Sequence, residues 1–207
     1  MTMTGTLYVI AAASGSGKTS LVKALLEREP DLALSVSYTS RPPRPGEVDG
    51  QHYHFVSRQV FEHMAQAGAF FEYANVHGDY KGTARSVIEP LLAQGRDVLL
   101  EIDWQGAEQV RRLWPDTLSV FILPPSRAEL ERRLRHRASD SPDQITRRLA
   151  DSRIEIAHAR EFDFIVVNDD FAQAVTDLRA IFACRRLRRD AQLQRHATLF
   201  DDLLKPD

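Results

Sequence analysis

Apolar residues along the chain form short continuous runs that alternate with segments of helical periodicity. The runs have the length of strands and occupy residues 7–11, 98–102, 118–123 and 164–167. Continuous aliphatic runs of this length are typical of strands that are buried on both faces of a parallel sheet. The helical segments occupy residues 21–26, 87–92, 105–113, 127–136, 143–160 and 175–182. This alternation predicts an α/β fold with a mostly parallel core sheet flanked by helices.

The pattern changes between residues 35 and 84, where strand signals dominate. Residues 52–56 alternate with a period of two, and residues 70–76 give a second strand signal. The prolines of the segment RPPRPG, residues 41–46, exclude regular structure there. We interpret Gly78–Gly82 as a break before the next helix. The region is therefore expected to be a small β-rich insertion.

Two helical segments near residue 140 flank the polar turn Ala138–Pro142. Its composition is typical of a turn that can move, so the pair of helices is expected to form a lid. The predicted regions are a core of residues 1–34, 85–125 and 161–207, an insertion of residues 35–84 and a lid of residues 126–160.

The first strand leads into the glycine-rich segment AASGSGKT, which ends in Lys18 and Thr19. Small residues let successive backbone N–H groups point into one concavity, and the following helix adds the positive end of its dipole. This arrangement suits a nucleoside triphosphate, with Lys18 near the β- and γ-phosphates and Thr19 near a magnesium ion. The segment departs from the usual motif at Ala12, where glycine is usual. The predicted ATP-binding residues of this segment are Ala13, Ser14, Gly15, Ser16, Gly17, Lys18, Thr19 and Ser20.

Composition narrows the classes of protein that fit. The 207 residues are 43% hydrophobic and 27% charged, which is typical of one globular unit. A net charge of −2 gives no general attraction to nucleic acid. No apolar run approaches the length of a membrane span, and the N-terminus carries no targeting pattern. With Cys184 as the single cysteine, we expect a cytoplasmic protein that acts without nucleic acid or membrane.

Three arginines of the lid region are candidates for contacts with nucleotide phosphates. Arg133 and Arg137 are four residues apart and share one helix face, where two guanidinium groups can converge on one phosphate chain. Arg148 lies on the second helix of the lid. Phosphoryl transfer needs positive charge around the moving group and exclusion of water, and a basic lid supplies both. A basic helix face exposed to solvent is the alternative, and the spacing alone leaves it open.

A second anion site is predicted in the insertion. Arg41 and Arg44 flank two prolines in a stiff loop, which loses little entropy when it binds an anion. Tyr53 and Tyr80 offer phenolic donors to the same oxygens. Docking of the proline-rich segment on an SH3-like domain is disfavoured, because strand-forming residues follow the segment at once.

Five segments in order along the chain carry a resemblance to a known family. They are ASGSGKTS, SVSYTSRPPRPGEVDGQHYHF, FFEYANVHGDYKGT, EIDWQGAEQV and IVVNDD. Together they resemble guanylate kinase from Gly5 to about Arg188. The resemblance implies a P-loop kinase with core, GMP-binding and lid regions. It further implies that the protein transfers the γ-phosphoryl group of ATP to GMP, and also to dGMP, with Mg²⁺, in purine nucleotide metabolism.

The resemblance also assigns residues to sites. Glu72, Thr83 and Asp103 match positions that bind guanine, whose N1–H and N2–H₂ donors suit carboxylate acceptors. Glu101 matches an acidic position near the metal that is usually Asp, and Asn168 matches a position near adenine. The predicted GMP-binding residues are Ser37, Arg41, Arg44, Tyr53, Glu72, Tyr80, Lys81, Thr83 and Asp103. The predicted catalytic residues are Lys18, Arg44, Arg133, Arg137 and Arg148, and the predicted metal ligands are Thr19 and Glu101.

Two other functions are weighed against this one. A related P-loop kinase acting on a phosphorylated sugar would share the ATP-binding half, although Glu72 and Asp103 favour a purine. A guanylate-kinase-like scaffold that binds partners without catalysis typically lacks the intact phosphate loop and the lid arginines, which this chain retains. The sequence leaves the oligomeric state open, including a homodimer.

Lys81 departs from the family pattern, in which a second tyrosine usually touches the GMP phosphate. An ammonium group attracts phosphate through its charge, which dissolved salt screens more than it screens a phenol hydrogen bond. We therefore expect the affinity for GMP to fall more steeply with salt in the wild type than in the variant Lys81→Tyr. A salt titration of GMP binding measures both slopes, and equal slopes would contradict this role of Lys81.

Overall fold

The computed structural model describes residues 5–76, 78–136 and 142–205, with only the backbone of residues 142 and 143. Its strands are β1 (Leu7–Ala12), β2 (Leu32–Ser35), β3 (Tyr38–Thr39), β4 (His54–Phe55), β5 (Phe70–Val76), β6 (Asp79–Ala84), β7 (Asp97–Glu101), β8 (Leu118–Leu123) and β9 (Phe164–Val167). Its helices are α1 (Lys18–Leu26), α2 (Arg58–Gln66), α3 (Arg85–Ala93), α4 (Trp104–Leu113), α5 (Arg127–His136), α6 (Pro142–Ala157), α7 (Phe171–Arg186), α8 (Arg189–Arg195) and α9 (Ala197–Leu203). A 3₁₀ turn covers His158–Glu161.

A sheet with the strand order β2, β7, β1, β8, β9 forms the core, and all its neighbouring strands are parallel. Its strands are aliphatic because helices cover both faces. On one face α1 and α7 pack against the sheet, and the rings of Tyr8 and Phe182 lie 4.1 Å apart. On the other face α3 and α4 pack, burying Leu92 and Val110. The predicted α/β fold with a parallel core is confirmed.

A second sheet, in the order β4, β3, β6, β5, is built from residues between Tyr38 and Ala84. The interpretation of Gly78–Gly82 as a break is wrong, because β6 begins at Asp79 and pairs with both β3 and β5. Close packing around position 82 of β6 requires glycine there. A Cβ atom at position 82 would lie 2.8 Å from Cβ of Tyr73 and 3.0 Å from the ring of Phe61.

The lid helices α5 and α6 pack on each other through Leu130, Leu134 and Ile145. They also lie against the loop that follows β1. A Cβ atom at Gly15 would be 3.0 Å from a methyl carbon of Leu130 and 3.0 Å from a methyl carbon of Leu134. The predicted residue Arg137 and residues 138–141 of the predicted turn lie outside the described residues, and Pro142 begins α6.

The carboxyl ends of three core strands meet at one edge of the sheet, where parallel α/β sheets bind their ligands. β1 leads into the glycine-rich loop, β7 ends at Glu101, and β9 is followed by Asn168. At the same edge, Asp170 caps α7 by accepting a hydrogen bond from the backbone N–H of Gln173 at 2.8 Å. The segments that carry the candidate chemistry therefore meet along one side of the core.

The C-terminal helices α8 and α9 bury none of their residues. Asp190 of α8 lies 3.1 Å from Arg185 and 3.9 Å from Arg188, so it forms ion pairs with two arginines near the end of α7. Among the described residues, no helix combines the length and the apolar character that crossing a bilayer would need.

Candidate active site

The glycine-rich loop between β1 and α1 has the backbone geometry of an anion cradle. Gly15 and Gly17 have φ angles of 91° and 90°, in the left-handed region that favours glycine. Gly17 immediately precedes α1, so the free N–H groups of the first helical turn adjoin the loop. The segment from Ala13 to Ser20 therefore has the conformation that phosphate binding needs.

Lys18 and Thr19 reach from α1 to the end of β7. Lys18 Nζ donates to the carbonyl oxygen of Ile102 at 2.8 Å, and Thr19 Oγ1 donates to Glu101 Oε1 at 2.8 Å. A hydroxyl and a carboxylate at one place, completed by phosphate and water oxygens, suit the octahedral preference of Mg²⁺. The pair thus fits a magnesium site. The described part of the chain has no cluster of three or more His, Cys, Asp or Glu residues suited to a metal.

Side chains behind the phosphate loop hold its carbonyl groups. The buried Asn168 donates from Nδ2 to the carbonyl oxygen of Ser16 at 2.8 Å. Arg133 donates to the carbonyl oxygen of Asn168 at 3.0 Å and to Glu129 at 2.7 Å. A Cβ atom at Gly17 would lie 2.4 Å from the Asn168 amide nitrogen, so this approach requires glycine. Asn168 and Arg133 therefore support the loop, a role that the sequence did not predict.

α6 contacts the same loop through two residues that the sequence analysis missed. Glu155 Oε2 accepts a hydrogen bond from the backbone N–H of Ser14 at 3.0 Å, and Ser152 Oγ lies 3.4 Å from the carbonyl oxygen of Ser14. No motif identifies these residues. The available signal is their spacing from Arg148, which places all three side chains on one face of α6.

Arg41 and Arg44 lie in the long loop from β3 to β4, and the buried Ser37 directly precedes β3. The guanidinium group of Arg41 forms two hydrogen bonds of 2.7 Å to Glu47, and the backbone N–H of Arg44 donates to the same carboxylate at 2.7 Å. These bonds, with that from Arg41 dominant, lower the pKa of Glu47 to about 2. Sequence reasoning missed Glu47, although an acid beside two arginines is a signal for such a pair.

The ring of Tyr53 brings three of the predicted residues together. The guanidinium carbon of Arg41 lies 5.2 Å from the ring centroid, and Lys81 Nζ lies 5.8 Å from it. Burial lowers the pKa of Lys81, and the charge of Asp103 opposes this shift. Burial raises the pKa of Tyr53, and the charge of Lys18 opposes that shift. The charge of Lys18, in the phosphate loop, thus acts on Tyr53 of the insertion.

Tyr80 lies away from Arg41, Tyr53 and Lys81, contrary to the prediction. Its ring stacks on Phe61 with 5.3 Å between centroids, and Arg58 Nη2 donates to its hydroxyl at 3.4 Å. Because side chains alternate along β6, Tyr80 and Lys81 point to opposite faces of the sheet. The expectation that Tyr80 and Tyr53 meet the same oxygens therefore disagrees with the structure.

The predicted guanine-binding residues converge where β5 meets α4. Glu72 is only 4% exposed and accepts a hydrogen bond from Thr83 Oγ1 at 2.5 Å. Burial raises the pKa of Glu72 to about 7, although the bond from Thr83 acts in the opposite sense. A Cβ atom at Gly106 would lie 2.4 Å from Glu72 Oε2, so α4 approaches the carboxylate closely. Asp103 Oδ1 caps α4 by accepting from the backbone N–H of Gly106 at 3.0 Å.

Comparison with known proteins agrees with this geometry. A family model described as guanylate kinase matches residues 4–184, which is most of the chain. The chain belongs to the guanylate kinase family.

Relatives named guanylate kinase are similar to this chain over their full length. One from Xanthomonas campestris is 59% identical over 202 residues, covering 98% of this chain and 100% of the relative. One from Xylella fastidiosa is 58% identical over 204 residues, covering 99% and 100%. A crystal structure of guanylate kinase from Anaplasma phagocytophilum superposes with a TM-score of 0.76 at 29% identity, covering 93% of this chain and 96% of that one. The similarity therefore spans nearly the whole chain.

The raised pKa of Glu72 predicts a pH dependence of stability. The folded protein keeps this proton up to about pH 7, whereas the unfolded chain releases it near the ordinary pKa of 4.5. The resulting stabilisation is complete below pH 4.5 and is lost as the pH rises through about 7. Since Glu72→Gln cannot ionise, we expect its free energy of unfolding relative to wild type to rise across this interval, by up to about 3 kcal/mol.

Chemical denaturation between about pH 5 and about pH 8 measures this difference. Glu62→Gln, which neutralises an exposed carboxylate on α2, is the matched control and should leave the difference flat. A flat difference for Glu72→Gln as well would show that the carboxyl group titrates at its ordinary pKa.

Proposed function

We propose that the protein transfers the γ-phosphoryl group of ATP to GMP, forming ADP and GDP. The observation that carries this proposal is the buried carboxylate of Glu72, which lies beside Thr83 and Asp103. Glu72 and Lys81 are on the same face of the insertion sheet. Membership of the guanylate kinase family supports the same reaction. The protein is accordingly a nucleoside monophosphate kinase.

The donor site consists of the loop from Ala13 to Ser20 and the residues around it. Backbone N–H groups bind the β- and γ-phosphates, and Lys18 exchanges its contact with the carbonyl oxygen of Ile102 for phosphate oxygens. Thr19 and Glu101 would hold Mg²⁺, which supplies positive charge that balances the phosphates. Asn168 belongs to this site through the loop that it supports, with adenine as its proposed neighbour.

The acceptor phosphate binds in the basic group of the insertion. Arg41 and Arg44 supply guanidinium groups that match phosphate geometry, while Tyr53 and Lys81 add a phenol and an ammonium group. Ser37 completes the predicted set. Tyr80 is left out of the proposed site because it lies on the other face of its sheet.

The base is recognised by acceptors placed against the donor edge of guanine. Ionised Glu72 accepts from N1–H and N2–H₂, while Thr83 holds the carboxylate in place. Asp103 uses Oδ1 to cap α4, which leaves Oδ2 for the base. Adenine presents a lone pair at N1, so it would place an acceptor against an acceptor in a buried site. We infer that this repulsion selects guanine.

Transfer is direct in the proposed mechanism. An oxygen of the GMP phosphate attacks the γ-phosphorus of ATP, and the bond from that phosphorus to the bridging oxygen of ADP breaks in line, without an intermediate on the enzyme. Closure of the lid excludes water and adds charge around the moving group. The residues proposed to supply that charge are Lys18, Arg44, Arg133, Arg137 and Arg148.

The acceptor class extends to dGMP in this proposal, because the proposed contacts are to the base and the phosphate and none is to the 2′-hydroxyl. Both acceptors are dissolved purine nucleotides. We therefore propose a place in purine nucleotide metabolism, in the cytoplasm, without a nucleic-acid or membrane partner.

A coupled assay of ADP release with GMP, dGMP, AMP, UMP and a sugar phosphate tests the function. We expect kcat/KM for GMP to exceed that for AMP by at least about 100-fold, because a buried carboxylate faces the lone pair of adenine. Preference for a non-guanine acceptor would contradict the proposal. Absence of ADP release with every acceptor would favour the scaffold alternative.

The pKa of Glu72 predicts how GMP affinity depends on pH. The carboxylate must be ionised to accept from guanine, and its pKa in the free protein is about 7. We therefore expect KM for GMP to rise as the pH falls below 7, by up to about tenfold per pH unit. The phosphate of GMP also titrates, near pH 6, and Glu72→Gln retains only that dependence. Identical pH profiles of KM for the two proteins would contradict the role of Glu72.

A further inference from the structure

The lid helix α6 is fixed to the phosphate loop by a polar stripe. Arg148, Ser152 and Glu155 are spaced by four and three residues, so they lie on one face of the helix. Glu155 Oε2 accepts from the backbone N–H of Ser14 at 3.0 Å. Ser152, which is fully buried, donates to the carbonyl oxygen of Arg148 at 2.7 Å, and its hydroxyl lies 3.4 Å from the carbonyl oxygen of Ser14. Both backbone polar groups of one loop residue therefore face this stripe.

The contact between Glu155 and Ser14 fixes the helix more firmly than an ordinary packing contact. A hydrogen bond from a backbone N–H to a carboxylate is stronger than one between neutral groups, because the acceptor is charged. The neighbouring residue Gly15 lies close to Leu130 and Leu134 of α5, so both lid helices meet the loop here. Loss of Glu155 would remove the carboxylate partner of the Ser14 backbone N–H at this junction.

We propose that Glu155 is a positioning residue, which sets the register of α6 on the phosphate loop and thereby places Arg148 for phosphoryl transfer. This inference rests on the proposed function. Arg148 lies two helical turns before Glu155, about 10 Å along the axis. A slide of α6 by one residue would move Arg148 by about 1.5 Å, and a misplacement of about 1 Å in a phosphate contact can cost about 100-fold in rate.

Glu155 is not proposed to touch the substrates. Its carboxylate is occupied by the loop, and a free carboxylate beside a triphosphate would repel it. Its effect on the reaction is therefore expected to pass through Arg148, and a double-mutant cycle can detect this.

The test compares Glu155→Ala, Glu155→Gln, Arg148→Ala and the double variant Glu155→Ala/Arg148→Ala in the full chain. We expect Glu155→Ala to lower kcat about tenfold with KM for GMP unchanged within about twofold. Glu155→Gln keeps an acceptor oxygen and should recover kcat to within about threefold of wild type. In the Arg148→Ala background, removal of Glu155 should change kcat by less than about twofold.

Glu131→Ala is the matched control, since it removes a lid carboxylate that pairs with Arg135 on the exposed side of α5. It should leave kcat unchanged. Thermal unfolding of each variant is recorded, because a merely structural role would lower stability and kcat in the Arg148→Ala background as well.

Three results would overturn the proposal. These are a kcat of Glu155→Ala within about twofold of wild type, failure of Glu155→Gln to recover activity, and full additivity of the two alanine substitutions. Failure of the proposed function is distinguishable, because wild type and Glu131→Ala would then both be inactive with GMP. In that case the cycle is measured with the acceptor that the nucleotide panel identifies.

Discussion

The candidate site depends on a glycine-rich loop whose curvature leaves backbone polar groups that need partners in the surrounding protein. The carbonyl oxygen of Ser16 accepts from Asn168, and the backbone N–H of Ser14 donates to Glu155. One of these partners follows the last strand of the parallel sheet and the other belongs to the lid. The curvature of the loop is thus maintained jointly by the core and the lid, and neither of them acts on the nucleotide alone.

The insertion holds a buried carboxyl group, that of Glu72, which must still be able to accept hydrogen bonds. Burial disfavours the charged form of Glu72, and the hydroxyl of Thr83 restores part of the stability of that form. The absence of a side chain at Gly106 lets α4 approach the carboxylate closely. In the proposed function a purine edge supplies two donors to this carboxylate, so that recognition of the base and ionisation of the acid are linked.

The fold and the phosphate loop could be predicted because their determinants are local: aliphatic runs for the sheet, and glycines before Lys18 for the loop. The face of a residue on a strand was harder to predict. Tyr80 and Lys81 are neighbours in sequence, and only the register of β6 decides which of them meets the basic group. Glu155 was missed because its contact joins residues 141 positions apart, and no motif spans that separation. Family resemblance supplied the guanine-binding candidates, which spacing alone could not have identified.

Glu47 accepts hydrogen bonds from both terminal nitrogens of the Arg41 guanidinium group, at Nη1 and Nη2. In the proposed acceptor site, a phosphate that binds this group therefore replaces a carboxylate, and the net gain is the difference between two ion pairs. Glu47 is thus an internal competitor of the phosphate that is proposed to bind here, and it offsets part of the interaction that Arg41 can offer.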